Sequence, residues 1–143
     1  SPEIERMGIN LDDSINLCSI LSDEGIDFIH LSCWNAFKES ISYKNDSKTL
    51  TEWFVTRLNN LPPVISTGNV WSYNDAQHLL NQGADLIGVG RAAIGHPDWA
   101  RQVKNINYDP AKPPFSVSQL KEAMLSDVFI DYMRNWEGFV CEK

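Results

Sequence analysis

Residues 63–99 read PVISTGNVWSYNDAQHLLNQGADLIGVGRAAIGHPDW, and the order of apolar runs and breakers in them sets the fold class. Pro62 and Pro63 cannot continue a helix, so Val64, Ile65, Ser66 and Thr67 read as a short strand that stops at Gly68-Asn69. Ser72 and Asp75 have the spacing of a capping box, Ala76, Leu79 and Leu80 follow on one helical face, and Gly83 ends the helix. A second apolar run, ADLIGVG over residues 84–90, closes on Gly90-Arg91. Ala92 to Ile94 suit a short helix, and Pro97-Asp98 after Gly95-His96 opens another that carries Trp99 and Val103. Strands alternating with helices, with glycine just past each strand, indicate α/β architecture with parallel strands.

The same period extends outward on both sides. Over residues 12–24, Ile15, Leu17, Cys18, Ile20 and Leu21 fall at helical spacing behind Asp12 and Asp13, whose charge suits a helix start, and Gly25 is a natural stop. IDFIHLS at 26–32 is then a buried strand, followed by an extended loop at 33–50 and a helix over 51–58 that buries Trp53, Phe54 and Leu58. Beyond residue 105, Pro110, Pro113 and Pro114 mark a surface connection, 117–134 reads as one helical stretch, and 136–143 as an irregular tail. Three parallel strands alone make a poor sheet, because each face wants helix cover and both outer edges keep unpaired backbone groups.

At 143 residues the chain suffices for one domain, and 43% hydrophobic with 22% charged residues is a globular composition. A net charge of −7 disfavours nucleic acid, whose phosphates call for clustered Lys and Arg. The 3 cysteines, Cys18, Cys33 and Cys141, are far apart and lack a C-x-x-C pair, so free thiols in the cytoplasm are expected and a metal site is not. No apolar run has the length of a membrane span. The chain starts at Ser1-Pro2-Glu3 without Met, as a chain that is processed, recombinantly trimmed or cut from something longer would.

Thr67-Gly68-Asn69 and Gly90-Arg91 end consecutive strands, so their loops leave by one rim of a parallel sheet, where barrel enzymes often hold a phosphate. Glycine lets main-chain N–H groups approach phosphate oxygens, and a guanidinium adds a charge-assisted contact. The plainer alternative is equally open: Gly68 and Gly90 allow tight turns, and Arg91 makes a surface ion pair. His30 shares a strand face with Ile26, Phe28 and Ser32 and either points toward a site or, the favoured reading, is a satisfied core histidine; neither His78 nor His96 has a partnered acid or nucleophile in sequence. Cys33 has no basic neighbour to activate it. Trp34, Phe37 and Tyr43 either line a pocket or pack their loop down.

Residues 63–99 resemble the last two βα units of the old yellow enzyme family of FMN-dependent oxidoreductases. There the seventh strand ends in a small residue, Gly and often Asn, and the eighth reads A-D-L-[IV]-x-x-G-R before a small-residue turn and a P-D pair. Thr67, Gly68, Asn69, Ala84, Asp85, Leu86, Ile87, Gly90, Arg91, Pro97 and Asp98 occupy those places. SPEIERMGINLDDSINLCSILSDEGIDFIHLS is similar to the family's stretch from the end of strand five through strand six, and 113–140 to the C-terminal extensions of some bacterial members. The resemblance implies strands six to eight of a (β/α)₈ TIM barrel over residues 1–143, with a helical extension from about 105 and the N-terminal half of the barrel absent. It implies FMN phosphate held by Gly68, Asn69, Gly90 and Arg91, a substrate loop containing Trp34 and Phe37, and no catalytic residue within the chain. The Cys33-Trp34-Asn35-Ala36-Phe37 loop departs from the Ser/Gly-rich turn of many relatives.

The function this implies is hydride transfer from NAD(P)H through FMN to an activated alkene in a full-length protein, this chain being inactive alone. The partners expected are FMN, a small substrate and the missing half-barrel, or a second copy of the chain. Two alternatives stand beside it: a fragment of a non-flavin phosphate-binding barrel, isomerase or synthase, and a non-catalytic scaffold domain.

Overall fold

The computed structural model describes residues 8–141. The resemblance at Ser1 and Pro2 therefore lies outside the described residues, as does the end of the C-terminal tail. The chain divides into two compact units, Ser1–Asn69 with Gln77–Gly88 and Val70–Ala76 with Val89–Lys143.

The first unit is built on a three-stranded parallel sheet in the order β1 (Ile29–Ser32), β2 (Val64–Thr67), β3 (Leu86–Gly88). Helices α1 (Leu11–Asp23), α2 (Leu50–Arg57) and the later part of α3 (Tyr73–Asn81) complete it. The parallel α/β reading is borne out. Asn10 caps α1 with a capping box to Asp13, and Thr49 caps α2 in the same way with Glu52, which satisfies amide groups that a helix start leaves orphaned. Ser72 and Asp75 exchange the equivalent bonds at the start of α3, at 3.1 and 3.0 Å.

One side of the sheet packs into a core of Leu11, Ile15, Ile29, Leu31, Phe54, Leu58 and Val64. Strand β1 alternates buried and exposed, so Ile29 and Leu31 face that core while His30 and Ser32 face away. Register puts His30, Ile65 and Leu86 in one row and Ser32, Thr67 and Gly88 in the next. On this second face Phe28 and Leu86 remain 54% and 56% exposed.

Some readings of the sequence change. Strand β1 begins at Ile29, three residues later than the apolar run suggests, and β3 covers only Leu86–Gly88. Only Leu11 and Ile15 of α1 are buried; Leu17, Ile20 and Leu21 are exposed, as is Leu80 of α3. Periodicity locates an apolar stripe, but how much of it is covered depends on neighbours.

Asp85, read as part of a motif, has a plain structural task. Its carboxylate accepts from Val64 N at 2.8 Å and its own N–H donates to Val64 O at 2.9 Å, which fixes where β3 enters beside β2.

The 33–49 loop is pinned by Tyr43, whose hydroxyl donates to Asp12 at 2.7 Å while its ring stacks on Trp53 at 4.4 Å. Arg57 also donates to Asp12, at 2.5 Å. The Tyr43 hydroxyl, then the Arg57 guanidinium, hold the Asp12 carboxyl below its ordinary value of 3.8. A carboxyl lowered in the folded state stabilises the fold above its unfolded pKa and loses that contribution as pH falls through the folded one. Asp12→Asn should therefore melt below wild type at pH 7, with the difference closing as pH drops below 3.8. Paired thermal melts across pH 2–7 read this directly, and a difference that stays constant through acid would remove the charge from the account.

The second unit contains α4 (Arg91–Gly95), α5 (Trp99–Gln102), β4 (Phe115–Ser116), α6 (Val117–Glu122), α7 (Asp127–Met133) and β5 (Val140–Cys141). The short helix expected after Gly90 and the Trp99 helix are both present. The single helix expected over 117–134 is two, because Met124 turns left-handed at φ 65 and Ser126 caps a new start by accepting from Phe129 N. Nor is the tail wholly irregular: β5 pairs in parallel with β4. Phe115 is the centre of this unit, 1% exposed and packed with Trp71, His96 and Phe139 at ring distances of 6.4, 5.6 and 5.4 Å. Trp99 Nε1 donates to Trp71 O at 2.6 Å. Among the described residues no helix is long and apolar enough to cross a membrane, and no group of three or more His, Cys, Asp or Glu could hold a metal ion.

Candidate functional site

Gly68 ends β2 with φ +150, and a Cβ there would strike Cys33 O and lie 2.8 Å from Ala36 N. The two loops that follow β1 and β2 are thereby bonded main chain to main chain, through Cys33 N to Thr67 O at 2.8 Å and Ala36 N to Gly68 O at 3.2 Å. Only glycine permits this approach. Asn69 continues in the left-handed region at φ 58 and is exposed.

Gly90 and Arg91 belong to the second unit. Gly90 is exposed with φ −110, and no atom beyond its own chain neighbours lies within 4 Å of where its Cβ would be. No neighbouring protein atom therefore requires glycine there. Arg91, the first residue of α4, is half-buried and engaged in an interaction of its own.

His30 Nε2 and Thr67 Oγ1 share a 2.7 Å hydrogen bond across β1 and β2, on the exposed sheet face. A Cβ at Gly88 would run into that Thr67 hydroxyl, so the missing side chain of β3 makes room for the pair. His30 is thus a hydrogen-bonded but exposed histidine, where a core position was expected. His78 lies against the Phe37 ring at 5.4 Å, and His96 reaches Ala111 O at 2.8 Å, which ties down the proline-rich connection.

The Cys33 thiol is half-buried, and burial pushes its pKa up, away from reactivity. Phe37 is half-buried under the contact with His78, whereas Trp34 is 73% exposed. The two aromatics proposed for one loop therefore divide: one packs it down, and the other faces solvent. Trp34 stands on a groove of about 810 Å³ within the first unit, bordered by residues 8–11 and 14, 32–35 and 38–42, together with Leu50 and Phe54. Of Trp34, Phe37 and Tyr43, for which pocket lining was one of two readings, only Trp34 borders this groove, whose walls come from three separated segments.

Comparison with known proteins gives the family. The family model described as dihydrouridine synthase (Dus) matches residues 5–137. NADH:fumarate oxidoreductase of Klebsiella pneumoniae (strain 342) is 38% identical over 104 residues, 71% of this chain and 11% of that protein. NADH:acrylate oxidoreductase of Vibrio harveyi is 31% identical over 110 residues, 72% of this chain and 11% of that protein. The probable NADH-dependent flavin oxidoreductase YqiG of Bacillus subtilis (strain 168) is 26% identical over 102 residues, 71% of this chain and 27% of that protein. The chain thus spans between 11% and 27% of the length of these relatives. Parallel strands ending in glycine loops, a family match over most of the chain and similarity to NADH-dependent oxidoreductases agree: the chain belongs to the dihydrouridine synthase family of TIM-barrel flavoproteins.

Proposed function

We propose that this chain is the C-terminal part of an old-yellow-enzyme-like (β/α)₈ barrel, contributing strands six to eight, and that the whole protein is an FMN-dependent NAD(P)H oxidoreductase. The observation that carries the cofactor assignment is Gly90, where the position of a side chain is open and a phosphate oxygen has room to approach the main chain. Arg91, directly after Gly90 in the same unit, is the other residue that would hold the phosphate. FMN, when bound, would take a hydride from NAD(P)H and deliver it to an alkene. Fumarate and acrylate, which two relatives' names pair with NADH, are both alkenes conjugated to a carboxyl group. This supports an activated alkene as the substrate class.

A partial barrel accounts for the sheet. In the row His30, Ile65, Leu86 only Ile65 is half-buried, Phe28 and Leu86 are more than half exposed, and a barrel interior is filled by side chains from all its strands. The missing half-barrel would cover this face in the full-length protein; alone, the chain would pair with a second copy and bind FMN weakly. A net charge of −7 disfavours RNA as the substrate, despite the family's name.

The test is Arg91→Ala in the full-length protein. Losing a charge-assisted bond to a partly buried phosphate should lower FMN affinity roughly ten- to a hundredfold. Flavin retained at wild-type affinity would remove Arg91 from the site, and a full-length protein purified without any flavin absorbance would favour the non-flavin phosphate-binding barrel.

A further inference from the structure

We infer that the groove at the end of β1 binds the adenine nucleotide half of the reductant. This rests on the reading of the protein as a NAD(P)H oxidoreductase and adds a place where the dinucleotide is held. The groove's volume, about 810 Å³, lies within the range of small-ligand sites. It opens where β1 hands over to its loop, at the rim from which parallel-sheet enzymes take their ligands.

Its chemistry is that of a nucleotide site. Trp34 presents an indole that is 73% exposed, an unusual state for so large an apolar side chain and one suited to stacking on a purine. Lys38, four residues on, lines the same groove, is exposed, and forms no ion pair among the described residues, so its ammonium is available to a phosphate. Ser32, Ser40 and Ser42 add hydroxyl groups along the walls. Glu39 also borders the groove and repels phosphate, so the phosphates belong at the Lys38 end. Nicotinamide must lie against the flavin to give up its hydride, which leaves the adenosine phosphate half to be held elsewhere on the rim.

ADP is the probe, because it has no redox chemistry and needs no flavin. Titrated into the full chain by calorimetry, ADP should bind saturably, and Trp34→Ala should weaken it about tenfold. Trp34→Phe should retain most of the affinity, and Lys38→Ala should cost roughly threefold and flatten the salt dependence. Both side chains are exposed, so melting temperatures should not move, which separates binding from folding. Absence of ADP binding, or equal affinity in wild type and Trp34→Ala, overturns the inference. So does inorganic phosphate competing as well as ADP, which would mean that the base contributes nothing. None of these results touches flavin retention by Gly90 and Arg91, so the two readings fail separately.

Discussion

Gly68→Ala should destabilise the first unit by roughly 2–5 kcal/mol, the sum of a backbone held at positive φ and a methyl group forced onto main-chain atoms. Neither neighbour can give way easily. Cys33 and Ala36 are tied to Thr67 and Gly68 by main-chain hydrogen bonds, so moving them breaks the junction between the β1 and β2 loops. Flexible side-chain ends would have yielded; carbonyl and amide atoms do not. Urea denaturation should show a lower midpoint with little change in slope, and the melt should fall by roughly 10 °C for a chain of this size. Gly90→Ala is the matched control, since nothing beyond its own chain neighbours lies within 4 Å of its Cβ position, and its stability should stay within about 1 kcal/mol of wild type. A Gly68→Ala protein as stable as wild type would mean that the two loops are not joined as described.

Phe115→Ala should cost about 3–5 kcal/mol in the second unit, the usual loss for a fully buried aromatic whose cavity cannot collapse. Its ring fills the space above Gly95, where a Cβ would come within 2.7 Å of the ring, and meets Trp71, His96 and Phe139 on other sides. Each of those contacts comes from a different segment, so removing the ring uncouples α4 from the C-terminal strand pair. Phe115→Leu should lose about half as much. Loss of near-ultraviolet dichroism from the tryptophans alongside the lowered denaturation midpoint is the expected signature. A penalty below about 1 kcal/mol would show that the unit has another centre.

Punctuation made the sheet legible. Pro62-Pro63, Gly68, Gly83 and Gly90 bracket strands and helices because each residue acts through its own backbone, and local physics of that kind survives in a sequence. The capping pair Ser72 and Asp75 was readable for the same reason. The break at Met124 was also signalled, by Ser126-Asp127 in mid-stretch, yet the apolar period running through it masks the signal. What sequence could not supply was anything set by partners far along the chain. Leu17 and Ile20 look like core on a helical wheel and are exposed, the Asp85 latch on Val64 spans 21 residues, and the groove at Trp34 is assembled from segments on either side of β1. Of the candidate residues, Gly68 has a structural duty that its turn-like context only hinted at. Gly90 caps α4 through its backbone, yet the space where a side chain would stand is open, which is why it is the better candidate for meeting a ligand.

The parallel pairing of Val140 and Cys141 with Phe115 and Ser116 closes a ring of chain whose ends are held by short strands, with Phe115 N donating to Phe139 O at 2.8 Å. The amide of Phe115 can exchange its hydrogen with solvent only when the last strand lets go. Its exchange rate is therefore a clock for the fastening of the C-terminal helices, read at a single position. A truncation after Arg134 would keep every residue of α6 and α7 but leave that clock running at the speed of an open loop.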